Sequence, residues 1–480
     1  MVNEDRVLSP AGDRRTRGRV GLCSVGLAAY WPQFPGLKER LESYAAHVAA
    51  RVERWADLSA VGLVDDAEGA RSAGERLARE GVDLILLHTA TYATSSQVLP
   101  VAQRAGVPVV VLNLQPVAVL DYSSTDTGEW LANCSACCAP ELAGAFSRAR
   151  IPYQVVSGLL TDDDQSRAWQ EIESWCRAAG AVRALRGSRI GFLGHTYPGM
   201  LDLYADFTQH HAQLGLHVEV LEMDDLLECV EAVTEPERET VLAETRERFE
   251  LDDSVHDDAL RWPAQVAAGM DRLADQARLD GLAYYYRGRN ELERLGAALI
   301  LGGSRLTGRG IPCAGEGDLK NAVAMLLMDR LGAGGSFTEF YAMDLAEGFM
   351  LMGHDGPGHV AISDRRPILR GLGLYHGKAG SGISVEFRVK TGPVTILGLT
   401  QTADGRLKLL VAEGETIPGE ILRIGNTNSR VRFALPPDQF IDRWCAEGPT
   451  HHVALGIGRQ AAILRKVGQL LVLRRWWFAE

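Results

Sequence analysis

Apolar positions along this chain follow two periods, and the period changes once. Up to Gly332, short apolar runs alternate with stretches of helical spacing. Residues 19–25, 82–87, 109–112 and 153–156 read as strands, and 82–87 is mostly apolar, as a strand buried on both faces requires. Between them lie helical stretches at 36–55, 97–105 and 140–150. Leu37, Leu41, Tyr44, Ala45 and Val48 share one face of the first. A second strand–helix alternation starts after Ser188: strands at 190–193, 217–221 and 282–286, a helix at 201–214 stopped by Gly215, a largely helical charged stretch at 235–279, and helices at 291–301 and 318–331. Such alternation predicts parallel sheets in α/β layers.

Past Gly332 the spacing becomes alternating and rich in glycine. Residues 383–390, 394–400 and 407–411 read as strands, with Ala403-Asp404-Gly405 as a turn, and helices at 436–445 and 460–467 are expected to close the chain. The predicted fold is α/β: two Rossmann-like parallel-sheet α/β domains followed by a C-terminal antiparallel β-barrel. The expected boundaries are a disordered tail at 1–18, α/β domains at 19–187 and 188–332, and the barrel with its closing helices at 333–480.

Composition narrows the function classes. The 480 residues are 46% apolar and 23% charged, enough for two or three domains with ample cores. A formal net charge of -12 disfavours a nucleic-acid partner. No secretory pattern opens the chain and no run of about 18 apolar residues occurs, so a cytoplasmic protein without a membrane span is expected. The eight cysteines are scattered, and Cys134, Cys137 and Cys138 lack the second pair that a zinc site needs. Packing at a helix entry is their expected role. His195, at a strand end, and Gly456-Ile457-Gly458 carry no complete motif.

Four places carry candidate chemistry. They are Glu316 in Gly315-Glu316-Gly317-Asp318, Glu339 in Ser336-Phe337-Thr338-Glu339, His354 in Gly353-His354-Asp355-Gly356-Pro357-Gly358-His359, and the pair His451-His452. Each sits at an element end or in a glycine turn, where backbone can approach a ligand closely. Two carboxylates with two imidazoles make a divalent-cation site whose oxygen content suits Mn²⁺, Mg²⁺ or Co²⁺ better than structural zinc. Taken singly, each has a bland reading as a turn or surface group.

The order of these motifs resembles that of the L-arabinose isomerase and L-fucose isomerase family. Ala29-Tyr30-Trp31-Pro32-Gln33-Phe34-Pro35-Gly36, Pro140-Glu141-Leu142-Ala143-Gly144 and Gly199-Met200-Leu201-Asp202 resemble its less characterised L-fucose/L-arabinose isomerase-like branch, so the likeness runs from about Arg19 to Gly458. The resemblance implies a metal-dependent aldose–ketose isomerase. Glu316, Glu339, His354 and His452 would hold the metal, with Mn²⁺ ahead of Mg²⁺ or Co²⁺. Glu316 and Glu339 would shuttle the proton through an enediolate. Tyr30, Trp31, Gln33 and His451 would contact a monosaccharide. It also implies a homo-oligomer, tetramer or hexamer, with the active site at a subunit interface. Two departures bear on the substrate: Leu27-Ala28-Ala29-Tyr30-Trp31 lacks the family's polar residue, and the segment after His354 is Asp-Gly-Pro-Gly-His. The rival readings are a non-catalytic sugar-binding protein and a metal-dependent sugar epimerase.

Overall fold

β1 (Arg19–Val25) is buried along six of its seven residues, as a strand covered on both faces must be. With β2 (Asp57–Val64), β3 (Leu84–Thr89), β4 (Val109–Gln115) and β5 (Tyr153–Leu159) it forms a parallel sheet in the order β2-β1-β3-β4-β5. The computed structural model describes residues 16–286, 291–371, 382–471 and 476–479. This sheet belongs to a compact unit made of Thr16–Arg183 and Arg465–Val472. The pattern reading overlooked β2, and its burial explains why: it is an edge strand with only its last residue buried, so no apolar run marks it.

The other unit, centred on Ala184–Leu464, holds a second parallel sheet and the barrel. β6 (Arg189–Gly194), β7 (His217–Leu221), the two-residue β8 (Glu250–Leu251), β9 (Gly281–Tyr285) and β10 (Cys313–Ala314) come in chain order, and the sheet runs β10-β9-β6-β7. The single helix expected over 201–214 is instead a 3₁₀ turn at Leu201–Leu203 and a helix at Phe207–Leu214. Asp206 restarts the helix by accepting the Gln209 N–H. The charged stretch 235–279 is two helices, Glu235–Arg248 and Asp257–Gln276, parted by β8.

The barrel strands are β11 (Ser336–Asp344), β12 (Phe349–His354), β15 (Gly392–Gln401), β16 (Leu407–Thr416), β17 (Thr427–Phe433) and β18 (His452–Ile457), preceded in part by β13 (Ile368–Gly371) and β14 (Ile383–Glu386). Antiparallel pairing runs β15-β18-β11-β12-β17-β16, and β16 pairs back to β15, which closes the barrel and removes its edges. The expected strand 383–390 does not join it. β14 lies in a separate sheet, β14-β13-β8, where β13 meets β8 in parallel. Nor does the chain end on helices: β19 (Trp476–Ala479) adds to β16 in parallel.

The helix Leu319–Arg330 is buried from Leu319 through Asp329. It packs on β15 and β18 of the barrel and on β9 and β10 of the parallel sheet. A helix covered on every side needs apolar residues nearly all round; Leu, Ala, Val and Met supply most of them, with Lys320, Asn321 and Asp329 buried among them. Its N-terminus is where the candidate residues gather. Among the described residues, no helix is long and apolar enough to cross a membrane.

Candidate active site

The chain leaves β10 and enters that helix through Gly315-Glu316-Gly317-Asp318. Glu316 takes φ 58 and Gly317 φ 67, two consecutive left-handed residues. The Tyr197 N–H donates to the Glu316 carbonyl at 2.9 Å, and the Gly317 N–H donates to the Tyr284 carbonyl at 2.9 Å. A Cβ at position 317 would lie 2.4 Å from the His195 carbonyl oxygen, so this position has room only for glycine. A left-handed non-glycine residue costs about 1–3 kcal/mol and persists where its surroundings impose it. Here the imposed turn aims the Glu316 carboxylate inward. Its Oε2 is buried without a hydrogen bond, 3.4 Å from His452 Nε2 and 3.7 Å from His451 Nε2.

Barrel register delivers the next groups. Glu339 on β11 lies opposite His452 of β18 on one side and Gly353 of β12 on the other, and His354 follows Gly353. Three neighbouring strands thereby set two imidazoles and a carboxylate together. His354 Nε2 stands 3.2 Å from His452 Nε2. The fully buried Phe337 ring supports both imidazoles, at centroid distances of 4.2 and 4.4 Å. Burial raises the Glu339 carboxyl above its ordinary range; the neighbouring imidazoles oppose that rise, and the charges of Glu316 and Asp355 add to it.

Supporting carboxylates orient the rings. Asp318 Oδ2 lies 3.0 Å from His452 Nδ1, and both side chains are fully buried. An Nδ1–H directed at Asp318 leaves Nε2 as a lone pair facing Glu316 and His354, the arrangement of a ligating histidine. The other Asp318 oxygen accepts the Asn321 N–H at 2.9 Å and caps the helix. His354 Nδ1 has the Gly356 N–H at 2.9 Å and Asp355 Oδ1 at 3.3 Å. The Gly356 N–H uses the Nδ1 lone pair, so ligation through Nε2 calls for that hydrogen bond to give way to an Nδ1–H directed at Asp355. Asp202 holds His451, with Oδ2 2.7 Å from Nδ1 and 3.0 Å from the His451 backbone nitrogen. Burial would lower the His451 pKa, but the Glu316 and Asp202 carboxylates outweigh it and raise it to about 9.

The ligand atoms of Glu339, His354 and His452 all lie within 4.8 Å of one another, and so do those of Glu316, His451 and His452. His452 belongs to both sets, so the two groups adjoin at its imidazole. The donor chemistry fits a divalent cation: carboxylate and imidazole donors converge, and one buried Glu316 oxygen faces two imidazoles without a hydrogen bond. Tyr30, Trp31 and Gln33 belong to the other compact unit. There the Trp31 indole N–H donates to Asp65 at 2.7 Å, Tyr30 meets Phe34 edge-on at 6.3 Å, and the exposed Gln33 amide donates to the Ala29 carbonyl. At the end of the strand expected at 282–286, a position where ligands commonly bind, Arg287 lies outside the described residues. Sequence reasoning left Asp318, Asp202, Asp355 and Phe337 unassigned. Asp318 carried a signal, since an Asp before a helical run caps it, but its second partner did not.

Residues 205–334 match the family model described as the L-arabinose isomerase central domain, a span that includes Glu316 and Asp318. The sulfoquinovose isomerase of Alkalicoccus urumqiensis is 23% identical over 399 residues, covering 82% of this chain and 85% of that protein. The L-arabinose isomerase of Aeromonas salmonicida is 24% identical over 382 residues, covering 77% and 75%. That of Herpetosiphon aurantiacus is 26% identical over 314 residues, covering 63% and 61%. With the parallel sheet and the closed barrel arranged as described, the chain is an aldose–ketose isomerase similar to the L-arabinose isomerases over most of its length.

Proposed function

We propose that this protein interconverts an aldose and its ketose at a divalent cation held by Glu316, Glu339, His354 and His452, with Mn²⁺ the best match and Mg²⁺ or Co²⁺ alternatives. The observation that carries the reading is the convergence of Glu339, His354 and His452 with the unsatisfied Glu316 oxygen. When bound, the cation supplies polarisation of the sugar carbonyl and charge for the enediolate oxygens. Glu316 and Glu339 carry the proton between C2 and C1, each within reach of the same pocket. Burial raises the Glu339 pKa and a bound cation would lower it, so the two oppose each other at this carboxylate. Asp318 keeps His452 in the tautomer that exposes Nε2. His451, fixed by Asp202, presents an imidazole edge to the sugar hydroxyls.

Tyr30 and Trp31 offer aromatic faces for the apolar face of a sugar ring, and in this reading a neighbouring subunit of a homo-oligomer brings them to the site. The substrate is a monosaccharide. The experiment is a panel of aldoses with Mn²⁺, reading ketose formation for wild type, Glu316→Gln and Glu339→Gln. Each substitution keeps shape and removes the carboxylate. The expected loss is at least about 10²-fold in kcat, the ordinary worth of a positioned acid or base. Near-full turnover in both variants overturns the assignment.

A further inference from the structure

The Cys134-Ser135-Ala136-Cys137-Cys138 run, expected above only to pack, places two thiols in contact. Cys134 Sγ and Cys137 Sγ stand 2.7 Å apart, closer than two unbonded sulfurs pack. We propose that Cys134 and Cys137 are a reversible dithiol–disulfide pair, a redox modification site separate from the isomerase pocket.

Three further observations assign the roles. Cys137 is exposed and Cys134 is buried, so an oxidant reaches Cys137 first. Cys137 is also the residue that enters the 12-residue helix Cys138–Ala149. Burial, together with the Cys137 thiol beside it, pushes Cys134 up to about 12, so Cys134 is the partner that reacts second. Cys138 is diverted: it is buried and its Sγ donates to the Ala93 carbonyl at 3.3 Å. Among the described residues the three thiols do not form a cluster able to hold a metal, which leaves the two-sulfur chemistry.

The reaction balances with a hydroperoxide as oxidant. The Cys137 thiolate attacks the peroxide, takes one oxygen and becomes a sulfenic acid, and one water leaves. Cys134 sulfur then displaces that oxygen as a second water, and the S–S bond forms. Two thiols and one hydrogen peroxide give one disulfide and two waters; the sulfurs lose two electrons and the peroxide gains them. A small dithiol reductant reverses the bond by exchange. A disulfide needs about 2.05 Å between sulfurs, so only a small shift of the turn closes it. The pair sits just after Leu131 and Ala132, which pack in one cluster with Tyr30, Trp31 and Phe34. Closure therefore occurs beside that aromatic loop.

The test uses the full-length protein, reduced, desalted and exposed to hydrogen peroxide. The expected result is the loss of two titratable thiols, a mass lower by two hydrogens, a Cys134–Cys137 link on peptide fragmentation, and full recovery with a dithiol reductant. Cys134→Ser should leave a sulfenic acid at Cys137 that a 1,3-dione probe captures. Cys138→Ser and Cys445→Ser should form the link as wild type does; Cys445 is the other exposed cysteine. If wild type keeps all its thiols, or the link maps to any other pair, the proposal falls. The wild-type mapping requires no variant to fold, and it is independent of isomerase activity.

Discussion

Asp318→Asn separates two jobs that one side chain performs. Oδ1 caps the buried helix through the Asn321 N–H at 2.9 Å, and Oδ2 faces His452 Nδ1 at 3.0 Å. Asparagine is as good a cap as aspartate. Its single oxygen stays on the Asn321 N–H, and its NH₂ then points at His452 Nδ1. Two donors cannot face each other, so the imidazole proton moves to Nε2. That consumes the lone pair otherwise directed at Glu316 and His354. Loss of such a supporting partner costs about 10–100-fold in metal affinity, which is about 1.4–2.8 kcal/mol. Stability should stay within about 1 kcal/mol of wild type, because the cap survives. Asp318→Ala should lose the same affinity and also about 1–2 kcal/mol of stability with the cap. The assay is calorimetric titration of Mn²⁺ into each metal-stripped protein, paired with urea unfolding. If Asp318→Asn binds Mn²⁺ within about threefold of wild type, where a lost supporting partner should cost tenfold or more, the tautomer argument is refuted.

Three other outcomes are expected. Mn²⁺ at about 100 times its Kd should stabilise wild type by about 2.7 kcal/mol and raise Tm, with little shift in Glu339→Gln; an equal shift in both would show that the cation binds elsewhere. Gly317→Ala forces a Cβ to 2.4 Å from the His195 carbonyl in a left-handed backbone, so a stability loss of at least about 1–3 kcal/mol is expected on urea unfolding, and an unchanged midpoint would contradict the turn. Burial lowers His88, which pairs with Ser24, from 6.5 to about 4. The folded pKa is below the unfolded one, so its stabilisation is complete above 6.5 and is lost as pH falls through 4. The slope should amount to about 3 kcal/mol and flatten in His88→Gln, as unfolding midpoints across that range would show.

Much of the architecture was legible because its causes are local. Strand-length apolar runs at β1, β3, β4 and β9 and a helical face such as that of Leu37–Val52 follow from period alone. The helix cap at Asp318 is likewise a one-turn interaction. The half-exposed β2 and the two-residue β8 were not legible, because each is defined by its pairing partner and has no distinctive spacing of its own.

The candidate residues divide in the same way. Glu316, Glu339, His354 and the His451-His452 pair could be picked out by type and by glycine neighbours. Nothing in the chain's order says that Asp318 would meet a histidine 134 residues away, or that Asp202 would hold His451 across 249. The two adjacent histidines also differ only in the fold: the β11–β18 register puts His452 opposite Glu339 and buries it fully, while His451 keeps some exposure beside Asp202. Periodicity and capping act over a turn or two of chain, so sequence alone determined which elements form and which residue types could ligate. Barrel closure, register and the orientation of each imidazole come from contacts between distant segments, and only the folded structure decided them.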